Sequence, residues 1–209
     1  MKNLNKIDFY FDCSSPWTYL AFREIIAISV RKNLSIAWHP VLVGGVFNAV
    51  NQDVYEFRKN PNPLKARYAY SDLQLWAKVR NITFNWPSIF PVNSVKAMRG
   101  CIFAASMGKV PAFAEEVFAA YWTHQKDISS METILELGAK VGFPSSEFEI
   151  YINSEEAKAA LKQNTQRLIE RGGFGSPTYF LEDTMFFGCL LYTSPSPRDA
   201  TLSRMPSSA

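Results

Sequence analysis

The order of hydrophobic patterns along the chain constrains its fold more than any other feature. Residues 7–11 (IDFYF) and 34–43 (LSIAWHPVLV) are rich in β-branched and aromatic side chains, and residues 16–30 between them have apolar positions at helical spacing. A long helical block follows, and strand patterns return at 178–181 and 185–187 around a polar turn. This order predicts an α/β fold in which a β-α-β unit and a late hairpin share one sheet.

The helical block predicts five helices. We expect the first four to lie in an all-helical insertion at about 64–153 and the fifth to follow that insertion. The five segments are 64–79, 94–107, 111–122, 130–141 and 154–171. Gly108, Gly142 and Gly172 follow three of them and predict helix ends. Residues 44–63 are polar in their second half and contain Pro61 and Pro63, which predicts a loop. The arrangement is typical of a thioredoxin-like fold that carries a helical insertion.

Composition excludes several classes of function. Lys and Arg number 22 against 19 Asp and Glu, and no basic run exceeds two residues, so we expect no nucleic-acid partner. Because no apolar stretch approaches the ~18 residues of a membrane span and no signal peptide precedes the first strand, we expect a cytoplasmic protein without membrane contact. Three cysteines without CxxC spacing and two histidines predict neither a disulfide framework nor a metal site.

The last part of the chain, residues 189–209, differs sharply from the rest. It reads CLLYTSPSPRDATLSRMPSSA, without periodicity, and back-translates into codons that resemble a sequencing adapter. The alternative is a natural Ser/Pro-rich tail. We therefore expect one domain over residues 1–188 and an artefactual tail over 189–209.

The junction between the first strand and the first helix carries the first chemical signal. Ser15 precedes Pro16 at the expected start of the helix, where unpaired N–H groups and the helix dipole favour a bound anion such as a thiolate. Thiol oxidoreductases carry C-P-x-C at this place, whereas residues 15–18 are SPWT, so neither redox thiol is present. The alternative interpretation is that Ser15 only caps the helix.

The second signal is a glycine-rich approach to a proline, residues 171–180 (RGGFGSPTYF). A cis bond between Ser176 and Pro177 would leave the Ser176 backbone available to an extended peptide ligand. The alternative is an ordinary trans proline that begins a strand.

Together, DFYFDCSSPWTYLAF (residues 8–22) and RGGFGSPTYFLEDTMFFG (171–188) resemble the 2-hydroxychromene-2-carboxylate isomerase family, which is related to kappa-class glutathione transferases. Segments PVLVGGVF, PLKARYAYSD and FPVNSVKAMR resemble that family in the same order. The resemblance spans about residues 6–188 and implies a single DsbA-like thioredoxin domain, with the family's closing C-terminal helix missing because the tail replaces it. It also implies a homodimer.

The resemblance implies a glutathione-dependent cis/trans isomerase that interconverts 2-hydroxychromene-2-carboxylate and trans-o-hydroxybenzylidenepyruvate, or a similar intermediate of aromatic degradation. By position, Ser15 would be the catalytic residue that contacts the glutathione sulfur. A hydroxyl there would lower the thiol pKa and supply the thiolate that adds to the substrate and later leaves.

The resemblance also implies further contacts. Ser176 and Pro177 would hold the cysteinyl part of glutathione, Phe187 and Gly188 would begin the segment for its γ-glutamyl end, and Lys65 would lie near a carboxylate. Cys189 and Leu190 stand where the family has a polar pair, which departs from the pattern. The pocket for the small aromatic acid substrate would be walled by four residues, Phe47, Asn48, Phe90 and Asn93, each of which could instead be core or capping.

Three other functions remain open. A kappa-like transferase or peroxidase would consume glutathione, whereas an isomerase returns it. A binding protein for glutathione or an aromatic acid would keep the pocket without turnover. A DsbA-like disulfide oxidoreductase is disfavoured by Ser15 and Thr18.

Overall fold

The computed structural model describes residues 6–188, in which a four-stranded sheet is combined with nine α-helices. The strands are β1 (Lys6–Phe11), β2 (Ser35–Pro40), β3 (Thr178–Leu181) and β4 (Thr184–Phe187). The helices are α1 (Pro16–Lys32), α2 (Val43–Val50), α3 (Asp53–Lys59), α4 (Pro63–Val79), α5 (Val95–Ser106), α6 (Val110–Phe118), α7 (Met131–Lys140), α8 (Ser145–Asn153) and α9 (Glu155–Glu170). A π-helical turn, Ala119–Thr123, continues α6. The expected tail, 189–209, with the missing closing helix, lies outside the described residues.

The sheet has the strand order β2-β1-β3-β4, which confirms the predicted thioredoxin-like fold. β1 and β2 are parallel and are joined by α1, as the β-α-β pattern predicts. β3 is antiparallel to β1, and β3 and β4 form the predicted hairpin around Glu182 and Asp183. The two motifs singled out in the sequence therefore lie at the same end of the sheet, because the last residues of β1 pair with the first residues of β3.

Both faces of β1 are buried, and this explains its continuous run of apolar residues. Phe9 and Phe11 point to one face and pack against Phe22 of α1. Tyr10 points to the opposite face, in a smaller cluster with Leu168 of α9 and Val46 of α2. The sheet is thus held between α1 with the helical insertion on one side and α2 with α9 on the other.

The prediction of a loop over residues 44–63 is wrong for most of that segment, because the segment contains most of α2 and all of α3. The start of α2 is stabilised from distant parts of the chain. The Leu42 N–H donates to Thr165 Oγ1 at 3.0 Å, and the Val43 N–H donates to a carboxylate oxygen of Asp12 at 2.8 Å. These partners lie 123 and 31 residues away, so no local capping signal marks the helix.

The five helices predicted for the helical block are present. The apolar spacing of the sequence did not predict α8. Helices α4–α8 occupy the residues that the sequence assigns to the insertion. Gly108, Gly142 and Gly172 all have positive φ (66°, 75° and 86°), in agreement with their prediction as helix ends.

Candidate active site

A cavity of about 670 Å³ opens where the N-terminus of α1, the helices α2 and α3, and the loop before α5 meet. Seven of the residues singled out in the sequence line it: Ser15, Phe47, Asn48, Phe90, Asn93, Ser176 and Phe187. Three others, Lys65, Pro177 and Gly188, do not line it. The fold therefore brings residues from five separate segments to one cavity.

Ser15 lies at the inner end of this cavity as the N-cap of α1. Its Oγ accepts a hydrogen bond from the Thr18 N–H at 3.3 Å and donates one to the carbonyl oxygen of Ser176 at 2.9 Å. The capping role considered for Ser15 is thus present. It does not exclude a role in binding, because Ser15 also lines the cavity at the positive end of a helix of 17 residues.

The Ser176–Pro177 peptide bond is cis, so of the two alternatives considered for this motif the structure has the cis bond and not the trans one. The Ser176 hydroxyl is buried and accepts a hydrogen bond from the Asp12 N–H at 2.9 Å. It also lies 2.9 Å from Thr18 Oγ1. The two motifs are therefore joined by three hydrogen bonds, through Ser15, Asp12 and Thr18.

Asp12 links the inner end of the cavity to its walls. Its side chain is fully buried, and its carboxylate accepts hydrogen bonds from the backbone N–H groups of Ser14 and Val43 and from the Ser94 hydroxyl at 3.0 Å. Burial raises the pKa of Asp12 above its usual value, although these hydrogen bonds act against the shift. Asp12 thereby fixes α2 and the loop before α5 relative to Ser15.

The cysteines of the described region are not placed for thiol chemistry. Cys13 and Cys101 are free and fully buried. Burial raises the pKa of the Cys13 thiol well above its ordinary value, and contact with Cys101 raises it further. A buried neutral thiol is a poor nucleophile, and Cys13 and Cys101 do not line the cavity, whereas Ser15 does.

The outer part of the cavity is aromatic and carries a cation. The rings of Trp86 and Phe90 are 4.8 Å apart, and the Arg58 guanidinium lies 5.5 Å from the ring centroids of both Phe47 and Phe90. These distances are within the range of cation–π contacts. Tyr55 of α3 donates a hydrogen bond to the Asn48 side chain at 2.7 Å.

Arg58, Tyr55 and Trp86 were missed as site residues by sequence reasoning. Arg58 and Tyr55 belong to α3, which the sequence predicted as loop. Trp86 lies outside the segments that carry the family resemblance. Trp122 is fully buried, and its indole N–H donates to the Cys13 carbonyl at 2.8 Å, whereas Trp86 is 40% exposed and lines the cavity.

Lys65 lies outside the cavity, and Phe187 lines it only with a partly exposed side chain. Lys65 is exposed in the first turn of α4, where its N–H is capped by the Asn62 side chain. Phe187 is 46% exposed and contacts Phe174, with ring centroids 4.4 Å apart.

Among residues 6–188, no group of three or more His, Cys, Asp or Glu side chains could hold a metal ion. No helix in that range is long and apolar enough to cross a membrane.

The fold and the site together define a DsbA-like thioredoxin domain, and a family model described as "DSBA-like thioredoxin domain" matches residues 6–190. Within that class, the chain belongs to the 2-hydroxychromene-2-carboxylate isomerase family of enzymes. It is 31% identical over 192 residues to the 2-hydroxychromene-2-carboxylate isomerase of Pseudomonas sp. (strain C18), covering 87% of this chain and 84% of that protein.

Two further comparisons agree with this assignment. A solved structure of 2-hydroxychromene-2-carboxylate isomerase superimposes with a TM-score of 0.77 at 27% identity, over 95% of both chains. A more distant relative is glutathione S-transferase kappa 1 of Rattus norvegicus, 23% identical over 184 residues, covering 82% of this chain and 79% of that protein.

Proposed function

We propose that this protein is a glutathione-dependent cis/trans isomerase that interconverts 2-hydroxychromene-2-carboxylate and trans-o-hydroxybenzylidenepyruvate or a closely similar aromatic acid. One arrangement carries the proposal. Ser15, at the N-terminus of α1, lines the same cavity as the aromatic walls and the Arg58 cation. The names of the relatives support the reaction type, and the related kappa-class transferase supports the use of glutathione.

The residues of the inner cavity fit glutathione. A volume of about 670 Å³ lies within the range of small-molecule sites. Ser15 lies at the positive end of α1, and Gly175 and Ser176 line the adjoining wall with backbone that an extended peptide can approach. When bound there, glutathione supplies the thiol that acts as the nucleophile.

Ser15 would stabilise the thiolate form of that sulfur. Its hydroxyl has a single proton, which is donated to the Ser176 carbonyl in this structure. Rotation of the hydroxyl redirects that proton toward the sulfur, while the positive end of α1 favours negative charge at the same point. Both effects lower the pKa of a bound thiol and increase the fraction ionised at neutral pH.

The outer cavity would hold the aromatic acid. Phe47, Phe90 and Trp86 provide flat apolar surfaces for a ring, and Arg58 provides a positive charge for its carboxylate. An arginine can bind a carboxylate through two parallel hydrogen bonds, which also orients it. Arg58 at the rim would thus orient the substrate through its carboxylate.

The test is the ultraviolet spectrum of 2-hydroxychromene-2-carboxylate, followed with and without glutathione in the presence of the full chain. We expect interconversion that requires glutathione in catalytic amount, leaves its concentration unchanged and collapses in Ser15→Ala. Ser14→Ala, a change at the adjacent serine, is the matched control and should retain activity. A spectral change that is indifferent to glutathione would refute the proposal.

A second candidate function is a kappa-like transferase or peroxidase, favoured by the kappa-class relative. Glutathione loss that matches product formation, measured by thiol titration with an electrophilic aromatic substrate, would select it. Binding of glutathione without any turnover would instead select a binding protein for glutathione or an aromatic acid.

We further propose a cytoplasmic homodimer. Two free buried thiols support a reducing compartment. Leu64, Tyr68, Leu75 and Val79 are 55–72% exposed at helical spacing on α4, which supports contact with a second copy of this surface. Light scattering after size exclusion tests the dimer, and Tyr68→Glu should then yield the monomer mass.

A further inference from the structure

A second cavity lies on the opposite side of α2 from the candidate active site. It has a volume of about 320 Å³, is open to solvent and is lined by residues of α2, α5 and α9. Its wall is connected to α2 by the hydrogen bond from the Leu42 N–H to Thr165 Oγ1. Nothing in the proposed isomerase function uses it.

The lining of this second cavity differs in kind from that of the first. Its apolar part is aliphatic and consists of Leu42, Ala49, Val95, Leu161 and Ile169. No aromatic or acidic side chain of the described region lines it. Its polar part is dominated by three cations, Arg99, Lys158 and Lys162. Such a surface disfavours a neutral ligand and fits an anion with an aliphatic body.

The positive charges of this cavity are poorly balanced within the protein. Arg99 is half-buried and donates one hydrogen bond, to the Ile152 carbonyl at 2.9 Å, while its buried Nε has no hydrogen-bond partner. Neither Arg99 nor Lys162 forms an ion pair within residues 6–188, and Lys158 contacts only the exposed Glu155 at 3.2 Å. Lys158 and Lys162 are exposed to water, so the unbalanced charge withdrawn from water is that of the half-buried Arg99, which a bound anion would stabilise.

We propose that this second cavity binds a short- or medium-chain aliphatic carboxylate. The alkyl chain lies against Leu161, Ile169 and Ala49, and the carboxylate faces Arg99 and Lys162. Because the lining lacks aromatic side chains, the ligand class differs from the aromatic acid proposed for the first cavity. The inference does not depend on the isomerase activity.

Titration of the isotope-labelled full chain with octanoate, followed by backbone amide chemical shifts, tests the proposal. We expect saturable shifts at α2, the middle of α5 and α9, with one site per chain. Octanol, which has the same alkyl length without the charge, should produce no saturable shift. Saturation confined to the residues around Ser15 and Phe47, or no saturation up to about 10 mM, would overturn the proposal.

Two variants locate the site without disturbing the core. Ala49 is exposed, so Ala49→Phe should fill the cavity and abolish saturable binding, whereas Ala66→Phe, on an exposed part of α4, should not. Lys162→Glu should weaken octanoate about tenfold, because it replaces an attraction by a repulsion, and Lys78→Glu should change it little. Equal affinity in Lys162→Glu and Lys78→Glu would overturn the assignment of the carboxylate end.

Discussion

The Ser15 hydroxyl donates a hydrogen bond of 2.9 Å to the carbonyl oxygen of Ser176, a residue 161 positions later in the chain. The bond joins the start of α1 to the segment that leads into β3. Because a hydroxyl has one proton, this donor cannot serve the Ser176 carbonyl and a bound sulfur at the same time. The carbonyl therefore holds Oγ in position at the cavity until a stronger acceptor, such as a thiolate, takes the proton.

Ser15→Ala should reduce turnover of 2-hydroxychromene-2-carboxylate by about 10²–10³-fold, the usual effect of removing one donor to developing charge. It should also lower the free energy of unfolding by about 1 kcal/mol, because α1 loses its N-cap. Spectrophotometric kinetics and urea unfolding measure the two effects. Ser14→Ala is the control for both, and equal kinetics in the two variants would exclude Ser15 from the chemistry.

Arg58→Gln should raise KM for an aromatic carboxylate about tenfold and leave kcat nearly unchanged, because Arg58 contacts the rim and not the inner end of the cavity. The adjacent exposed cation provides the matched control, so Lys59→Gln should leave KM unaltered. A methyl ester of the same acid lacks the charge and should show no difference between wild type and Arg58→Gln. A loss confined to kcat would contradict the role of Arg58 in binding.

The strands, the hairpin and six helices, α1 and the five of the helical block, were predictable because their signals are local. α1, for instance, has Ser15 and Pro16 at its start, an apolar stripe along its length and Asn33 in the left-handed region at its end. α8 was missed because only Phe148 and Ile152 are buried in its nine residues, too few to establish a period. α2 was missed for a different reason, since its first N–H groups are satisfied by Asp12 and Thr165 from distant segments.

The same distinction applies to the candidate site. Ser15 and Ser176 could be found because each lies in a proline motif, and the resemblance to a family placed them together. Arg58 could not be found, because its position at the cavity depends on α3, and α3 buries no residue that would reveal it. Asp12 and Thr18 could not be assigned either, because their hydrogen bonds to Ser176 form only when β1 and β3 are adjacent.

Asp8, His39 and Arg171 form a half-buried network on the face of the sheet that Tyr10 shares, and it should make stability depend on pH. The Asp8 carboxylate is 2.8 Å from His39 Nε2 and 2.8 Å from an Arg171 guanidinium nitrogen. Burial alone would raise the pKa of Asp8, but the bonds from His39 and Arg171 outweigh it and hold the pKa below its usual value. Burial lowers the pKa of His39, although Asp8 opposes the shift.

Both shifts act in the same direction. The unfolded chain binds protons to Asp8 and His39 more readily than the folded chain, so their contribution to stability is present at neutral pH and is lost as the pH falls. For His39 the loss begins near its ordinary pKa of 6.5, and for Asp8 near 3.8. The raised pKa of Asp12 has the opposite effect, and it cancels when variants are compared with wild type at each pH.

Urea unfolding of wild type and Asp8→Asn from pH 8 to pH 2 measures this network. Wild type should be the more stable from pH 8 down to about pH 4, and its advantage should shrink below about pH 4 as the Asp8 charge is lost. Asp53→Asn, at an exposed carboxylate on α3, should show no comparable trend. A difference between wild type and Asp8→Asn that stays constant across the range would exclude the network as a source of pH dependence.

Two glycines in helices should respond in opposite ways to alanine, because one is packed and the other is open. A Cβ at Gly100 of α5 would lie 2.7 Å from the Phe113 ring and 3.1 Å from the Phe148 ring, whereas a Cβ at Gly44 of α2 would meet nothing within 4 Å. Alanine is favoured over glycine in a helix by about 0.8–1.0 kcal/mol, so Gly44→Ala should stabilise the protein. At Gly100 the overlap should outweigh that gain, and Gly100→Ala should destabilise it by about 1–3 kcal/mol.

Urea midpoints at constant slope measure both changes. Because Phe113 and Phe148 belong to α6 and α8, a stable Gly100→Ala would mean that these helices can move away from α5 at little cost. The close packing of α6 and α8 against α5 predicts that these helices cannot move away cheaply.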